Sequence, residues 1–224
     1  MRRSLLLVLT LTLLLGIGAC SPTSLNAVPD SATPCPIGGS SLASQWFNQQ
    51  QTFRLRHEGI LRIGSKTIPM TGFMILNTRE GTADIVILTG LGIKIATLDV
   101  TRETYDVVYA SPMAQFIPGF LKQAALSIQR TFLTDFPQTN TPCFLIEGRR
   151  DYIDVEPAGT LRSSIDLSAD FMTGKAFKSK HKEWSVRYEG TTDISGIIFP
   201  ERFTYTGVDR NYAVVMQLKS AKRQ

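Results

Sequence analysis

The residues that could carry out chemistry in this 224-residue chain are few and widely spaced. Neither of its two histidines, His57 and His181, has a Cys, His, Asp or Glu at the spacing of a metal site. Asp151, Asp154 and Glu156 form an acidic cluster, a pattern more typical of a solvated strand or loop than of catalytic carboxylates. The sequence has no Gly-x-Ser-x-Gly elbow and no phosphate-binding loop. It therefore predicts no catalytic residue, metal or cofactor, and it favours a binding protein over an enzyme.

Cys20 has the most informative setting of the three cysteines. A basic start and an apolar run from Leu5 to Gly18 precede it, too short for a bilayer-spanning helix of about 20 residues and typical of a secretory signal. The segment Ile17-Gly18-Ala19-Cys20 resembles a bacterial lipobox. This resemblance implies that residues 1–19 are removed and that Cys20 carries acyl chains such as palmitate. The alternative is an ordinary signal followed by a chance cysteine.

The other cysteines, Cys35 and Cys143, would then lie in an oxidising compartment. The sequence favours a disulfide between them, with two unpaired thiols as the alternative. Residues 20–43 are rich in Ser, Pro, Ala and Gly and predict a tether, and residues 44–224 have the length of one domain. Removal of the two signal arginines lowers the net charge from +5 to +3, which does not indicate nucleic-acid binding. We expect a monomer.

Alternating apolar and polar residues predict a sheet. Phe53, Leu55 and Leu61 share one strand face, whereas Arg54 and Arg56 share the other. The next predicted strands, 67–77 and 84–89, are apolar on both faces, and strands 93–100 and 105–110 follow. Short connections between these strands imply an antiparallel meander. Weaker patterns predict strands over 144–153, 161–171 and 176–178, a clear pattern follows at 184–189, and strands over 203–206 and 212–218 close the chain.

Helical spacing interrupts the strand pattern between Phe116 and Phe132. Ser111-Pro112 suits a helix N-cap followed by proline at the first position, and Pro118 predicts a helix that begins near it. A short entry helix is expected within 41–51. The basic run 175–182 predicts a solvated hairpin face, with contact to lipid head groups as the alternative. The fold class expected is therefore α+β, an antiparallel sheet with a helical insert.

Several segments, in this order, resemble the LolA/LolB family of lipoprotein carriers and receptors. Leu88-Thr89-Gly90-Leu91-Gly92 resembles the LolB loop with an exposed leucine, although this loop is one residue shorter and lacks the LolB proline. The stretch 111–132 resembles the family's helical insert, and Trp184 to Gly190 with Phe199-Pro200-Glu201 resembles the LolB C-terminal part. The stretch 142–182 does not match well.

The resemblance implies a curved half-barrel with the insert acting as a lid over an apolar cavity. The residues it assigns to lipid binding are Phe73, Val86 and Ile95 on strands and Phe116, Phe120 and Ile128 on the insert. It also implies an exposed Leu91 at a loop tip, and possible delivery of cargo by a LolA-like periplasmic carrier. Because the strands 67–77 and 84–89 are apolar on both faces, they fit either such a cavity or ordinary packing on both sides.

We therefore expect an outer-membrane lipoprotein, anchored through Cys20 and facing the periplasm, that binds acyl chains of lipids or lipoproteins. Ser21, rather than aspartate, follows the cysteine, and the resemblance to sorted lipoproteins then implies outer-membrane delivery. The alternative is a scaffolding envelope lipoprotein that binds a protein partner without lipid transfer. That alternative predicts a well-packed interior and an exposed apolar or strand-edge patch.

Overall fold

A computed structural model describes residues 32–35, 42–138, 140–207 and 211–224. Cys20, the predicted signal 1–19 and most of the predicted tether lie outside these residues. The described residues form one open, curved sheet of thirteen strands. The strands are β1 (Thr33–Pro34), β2 (Thr52–Ile63), β3 (Lys66–Asn77), β4 (Thr82–Thr89), β5 (Lys94–Thr101), β6 (Tyr105–Ala110), β7 (Cys143–Ile146), β8 (Arg149–Glu156), β9 (Gly159–Asp166), β10 (Phe171–Lys178), β11 (Glu183–Ile194), β12 (Ile197–Thr206) and β13 (Tyr212–Arg223).

The sheet consists of two antiparallel meanders, β2 to β6 and β7 to β13. Short turns connect successive strands within each meander, which makes neighbours antiparallel. The pairing of β13 with β2 joins the two meanders, with Val214 opposite Leu61. β6 lies at one edge of the sheet, and the two-residue β1 lies at the other.

The antiparallel sheet was predicted, but the fold is closer to all-β than to α+β. The stretch from 143 to 178, only weakly assigned from sequence, forms four complete strands. The chain reverses at Glu147 and Gly148, which have φ angles of 47° and 79°, so one predicted strand becomes the hairpin of β7 and β8. The expected entry helix is also replaced, by two 3-10 turns, Leu42–Ser44 and Trp46–Asn48.

The helical insert lies between the two meanders. Ser111 is the N-cap of helix α1 (Pro112–Gln115), and its hydroxyl accepts a hydrogen bond from the Ala114 N–H at 3.3 Å. Helix α2 (Phe120–Ile128) follows and continues as a π-helical turn, Gln129–Leu133. The predicted cap and the predicted start near Pro118 are both confirmed. No helix in the described ranges is long and apolar enough to cross a membrane.

Alternation along the strands sets the two faces of the sheet. Phe53, Leu55 and Leu61 are buried on the concave face, as predicted, and Arg54 and Arg56 are exposed. The sheet uses one face for the core, and that face receives the helical insert.

Cys35 and Cys143 form a disulfide with a Cα–Cα distance of 5.4 Å. The Cys35 N–H also donates to the Cys143 carbonyl at 3.0 Å. The bond fastens the short β1 to β7 at the edge of the sheet. It therefore ties the chain that follows the predicted lipid anchor to the folded domain.

Candidate ligand-binding cavity

An apolar cavity lies between the concave face of the sheet and helix α2 with its π turn. Its volume is about 40 Å³. A water needs about 10–15 Å³ of such space, so the cavity could hold roughly three waters but not an acyl chain. The helical insert contributes Ala124, Ser127, Ile128 and Phe132, and the sheet contributes His57, Met70, Thr71, Gly72, Met74, Ile85, Ile87, Phe203, Tyr212, Val214 and Met216.

Three methionines and one glycine are among the residues that line the cavity. Met70 and Met74 lie on β3 and Met216 on β13, and methionine side chains fill irregular space because they are unbranched and flexible. Gly72 adds further room. A Cβ placed there would lie 3.8 Å from Ile85 Cδ1 and 3.8 Å from Met216 Cε, which is ordinary van der Waals contact.

Four polar side chains line this mostly apolar space, His57, Thr71, Ser127 and Tyr212. His57 is buried, with its ring centre 5.8 Å from that of Phe132 and 5.5 Å from that of Phe203. Burial lowers the pKa of His57 to about 4, so the imidazole is neutral near pH 7. The Tyr212 hydroxyl is also buried and has no hydrogen-bond partner among the described residues. Burial raises the Tyr212 pKa, so this hydroxyl also remains neutral.

The structure brings only part of the predicted lipid-binding set to the cavity. Ile128 lines the cavity. Phe120 and Ile95 are buried in the same core, but they are not among the lining residues. The other three predicted residues lie elsewhere.

Phe73 and Val86 face away from the cavity, which corrects the predicted lining. They pair with each other between β3 and β4, and Phe73 is 44% exposed. Their neighbours Gly72 and Ile85 face the cavity instead. Because side chains alternate along a strand, an error of one position moves a residue to the other face.

Phe116 is 84% exposed and does not lie over the cavity. It caps α1, and Gly119, with φ at 71°, separates it from α2. The prediction placed Phe116 and Phe120 together in the lid, with a helix beginning near Pro118. The break at Gly119 separates the exposed Phe116 from the buried Phe120.

Leu91 lies in the turn between β4 and β5 and is 90% exposed, as expected for a loop tip. The turn is held by Thr89, whose carbonyl accepts from the Gly92 N–H at 2.9 Å and whose hydroxyl accepts from the Ile93 N–H at 3.1 Å. Ile93 is 63% exposed beside it. The turn therefore presents two apolar side chains to solvent.

Two charged residues are buried where a solvated face was expected. Lys175 donates from Nζ to the Thr134 carbonyl at 2.6 Å and lies 3.8 Å from the centre of the Phe136 ring. Burial lowers its pKa to about 7, and nearby Asp135 opposes that shift. Lys175 thus fastens the chain after the π turn to β10. The signal in the sequence was its spacing of two residues from Phe177, which places both on one strand face.

Asp151 is fully buried, although the acidic cluster was expected to be solvated. It forms ion pairs with Arg149 and Arg162 and accepts a hydrogen bond from the Ser164 hydroxyl. These contacts satisfy the carboxylate within β8 and β9. Asp151 is therefore a structural residue, and Asp154 and Glu156 remain exposed.

The class of fold is thus an open, curved antiparallel sheet with one helical insert on its concave face. A LolA superfamily protein from Nitrosomonas europaea has this fold, with a TM-score of 0.51 and 11% identity over 81% of this chain and 89% of that chain. This likeness confirms a LolA-like fold, in agreement with the resemblance seen in the sequence.

Two further solved structures are less similar. A DUF1329 family protein from Desulfovibrio piger has a TM-score of 0.43 and 12% identity over 78% of this chain and 86% of that chain. A putative outer membrane lipoprotein-sorting protein domain from Vibrio parahaemolyticus has a TM-score of 0.41 and 10% identity over 81% and 88%. No protein-family model matches this sequence, and no curated protein matches it.

Proposed function

We propose that this chain is a lipid-anchored envelope protein that binds acyl chains of lipids or lipoproteins between helix α2 and the sheet. The observation that carries the proposal is the cavity under α2, lined by flexible methionines and by the space at Gly72. Helix α2 acts as a lid that moves aside, because about 40 Å³ is too small for an acyl chain. Each methylene buried would contribute about 0.8 kcal/mol.

The remaining parts of the molecule take roles around this cavity. Cys20 carries the anchor at the outer membrane, after removal of residues 1–19, and the disulfide ties the tether to the domain. The exposed tip at Leu91 and Ile93 contacts cargo or membrane, and a LolA-like periplasmic carrier would supply lipoproteins. The LolA-like fold supports this set of roles. The proposed action is binding and transfer as a monomer, without bond chemistry.

The test uses a matched pair of substitutions on adjacent residues of β3. Gly72→Leu fills the cavity, whereas Phe73→Leu changes the exposed face beside it. Native mass spectrometry of the full chain, released from detergent with dioleoyl phosphatidylglycerol present, reports retained lipid. We expect Gly72→Leu to lose the lipid and Phe73→Leu to keep it. Equal retention by both variants would contradict binding under α2.

A scaffolding role is the second candidate, and one observation favours it. β6 is an edge strand, and Val107, Val108 and Tyr109 on it are 43%, 61% and 41% exposed. Free strand edges of this kind accept a partner strand. Under this hypothesis, Val108→Lys would abolish capture of a protein partner by cross-linking in cells, while lipid retention would be absent from the wild type.

A further inference from the structure

Arg130 lies in the helical insert, outside the set of residues that line the cavity. It follows Ile128, which lines the cavity, by two residues and belongs to the π turn. Its Nη1 donates to the Tyr205 hydroxyl at 2.7 Å. Its guanidinium carbon lies 4.7 Å from the centre of the Trp184 ring. The guanidinium is therefore held in one orientation by contacts to β11 and β12.

The Arg130 guanidinium has no carboxylate within ion-pair distance in the part of the chain that the structure describes. Arg130 makes no ion pair with any residue in the described ranges. One donor is used by Tyr205, and the guanidinium carries five N–H groups in a planar fork. A guanidinium that is fixed in position and has free N–H groups matches the geometry of phosphate or carboxylate oxygens.

The guanidinium faces an open groove of about 460 Å³, within the size range of small-molecule sites. One side is apolar, formed by Leu161, Phe177 and Trp184, and the Phe177 and Trp184 rings stack at 6.1 Å. The groove is also lined by Arg130, Asp135, Glu156, Ala158, Ser179, His181 and Lys182. Asp135 and Glu156, which do not pair with Arg130, would repel a highly charged anion more than a singly charged phosphodiester.

We propose that this groove binds the phosphodiester head group of a phospholipid, with Arg130 as the phosphate ligand and the Leu161–Phe177–Trp184 surface against the apolar part. The proposal rests on the proposed function for the acyl chains and adds the class of head group. Arg130 links the groove to the cavity, since it lines the groove and donates to Tyr205, the strand partner of cavity-lining Val214. A lipid held at both places would contact Arg130 and Ile128 of the same helical insert.

The test compares two lipids that differ only in the head group, dioleoyl phosphatidylglycerol and dioleoylglycerol. Native mass spectrometry of the full chain gives the retained fraction of each lipid. We expect the wild type to prefer the phospholipid by about tenfold or more. A hydrogen bond to a charged group contributes about 1.5 kcal/mol or more, which corresponds to at least a tenfold difference in affinity. Arg130→Gln should abolish that preference and leave retention of dioleoylglycerol unchanged. Lys122→Gln, on the exposed face of α2, removes one charge and should preserve the preference.

Several outcomes would overturn the proposal. A wild type with no preference would do so, and so would an Arg130→Gln variant that loses both lipids equally while remaining folded. If Arg130→Gln does not fold, Arg130→Lys keeps a charge without the planar fork and should show a reduced preference; an undiminished preference would refute recognition by the fork.

A further measurement separates this proposal from the proposed function. If the wild type retains neither lipid, the acyl-chain function fails, and inorganic phosphate then probes the groove alone through phosphorus NMR line broadening. If phosphate signals broaden with the wild type but not with Arg130→Gln, the groove is an anion site that binds free phosphate. Absence of broadening would overturn the site.

Discussion

Gly72 offers the sharpest test of the space under α2. A methyl group at this position would make contacts of 3.8 Å to Ile85 and Met216 without a clash. Replacement of glycine in a compatible backbone stabilises by about 0.4–1 kcal/mol through the unfolded chain, and burial of one carbon adds about 0.8 kcal/mol. We therefore expect Gly72→Ala to raise the free energy of unfolding by about 1–2 kcal/mol.

Gly59 on the adjacent β2 provides the contrast. A Cβ there would lie 1.9 Å from the Val215 carbonyl oxygen and 2.8 Å from Met216 Cα. These are backbone atoms of β13 and cannot rotate away, so Gly59→Ala must separate two paired strands. We expect it to lose about 1–3 kcal/mol or more, as overpacked sites do.

Thermal unfolding by circular dichroism measures both variants. For a domain of this size, 1 kcal/mol corresponds to about 2–4 °C. Gly72→Ala should therefore melt about 2–7 °C above the wild type, and Gly59→Ala should melt below it. A lower melting temperature for Gly72→Ala would refute the reasoning, because it would show that no free volume exists beside Gly72.

Three further predictions concern charge, covalent linkage and the exposed tip. The His57 pKa is about 4 in the folded state, against an ordinary histidine value of 6.5 in the unfolded chain. As the pH falls, the unfolded chain therefore takes up a proton first. The free energy of unfolding should fall by up to about 3 kcal/mol between pH 6.5 and pH 4. Denaturant unfolding should show that the free energy of unfolding decreases less with falling pH in His57→Leu than in the wild type. The control variant His181→Gln should show the same decrease as the wild type. Reduction of the Cys35–Cys143 bond, which spans 108 residues, should cost about 4–5 kcal/mol; equal melting temperatures with and without reductant would contradict it. Leu91→Glu should leave the melting temperature nearly unchanged but impair lipid uptake into vesicles, whereas a large drop in melting temperature would show that Leu91 packs in the core.

The antiparallel strands of the first meander and the helical insert could be predicted because their patterns are local. In β2, charged residues alternate with Phe53 and Leu55, which fixes the face of every residue in the strand. In β3, Phe73 and Met74 are both apolar, so the pattern could not tell which faces inward. The wrong choice moved the predicted lining by one residue, to Phe73 instead of Gly72.

The positions that sequence could not predict depend on distant parts of the chain. Lys175 is buried because Thr134 and Phe136, about forty residues earlier, supply a carbonyl and an aromatic ring. Arg130 is fixed by Tyr205 and Trp184 from the second meander. Such contacts form only when the helical insert folds onto the sheet. Local periodicity can place Lys175 on the same strand face as Phe177, but it does not identify these partners.

The most direct test of acyl-chain binding is the lipid content of the wild-type full chain as isolated from its own membrane. Extraction into organic solvent followed by mass spectrometry counts the acyl lipids per chain, with the anchor on Cys20 counted separately after proteolysis. Acyl-chain binding under α2 predicts close to one bound acyl lipid per chain in addition to the anchor. A chain that carries its anchor but no further lipid would contradict acyl-chain binding and favour the scaffolding role.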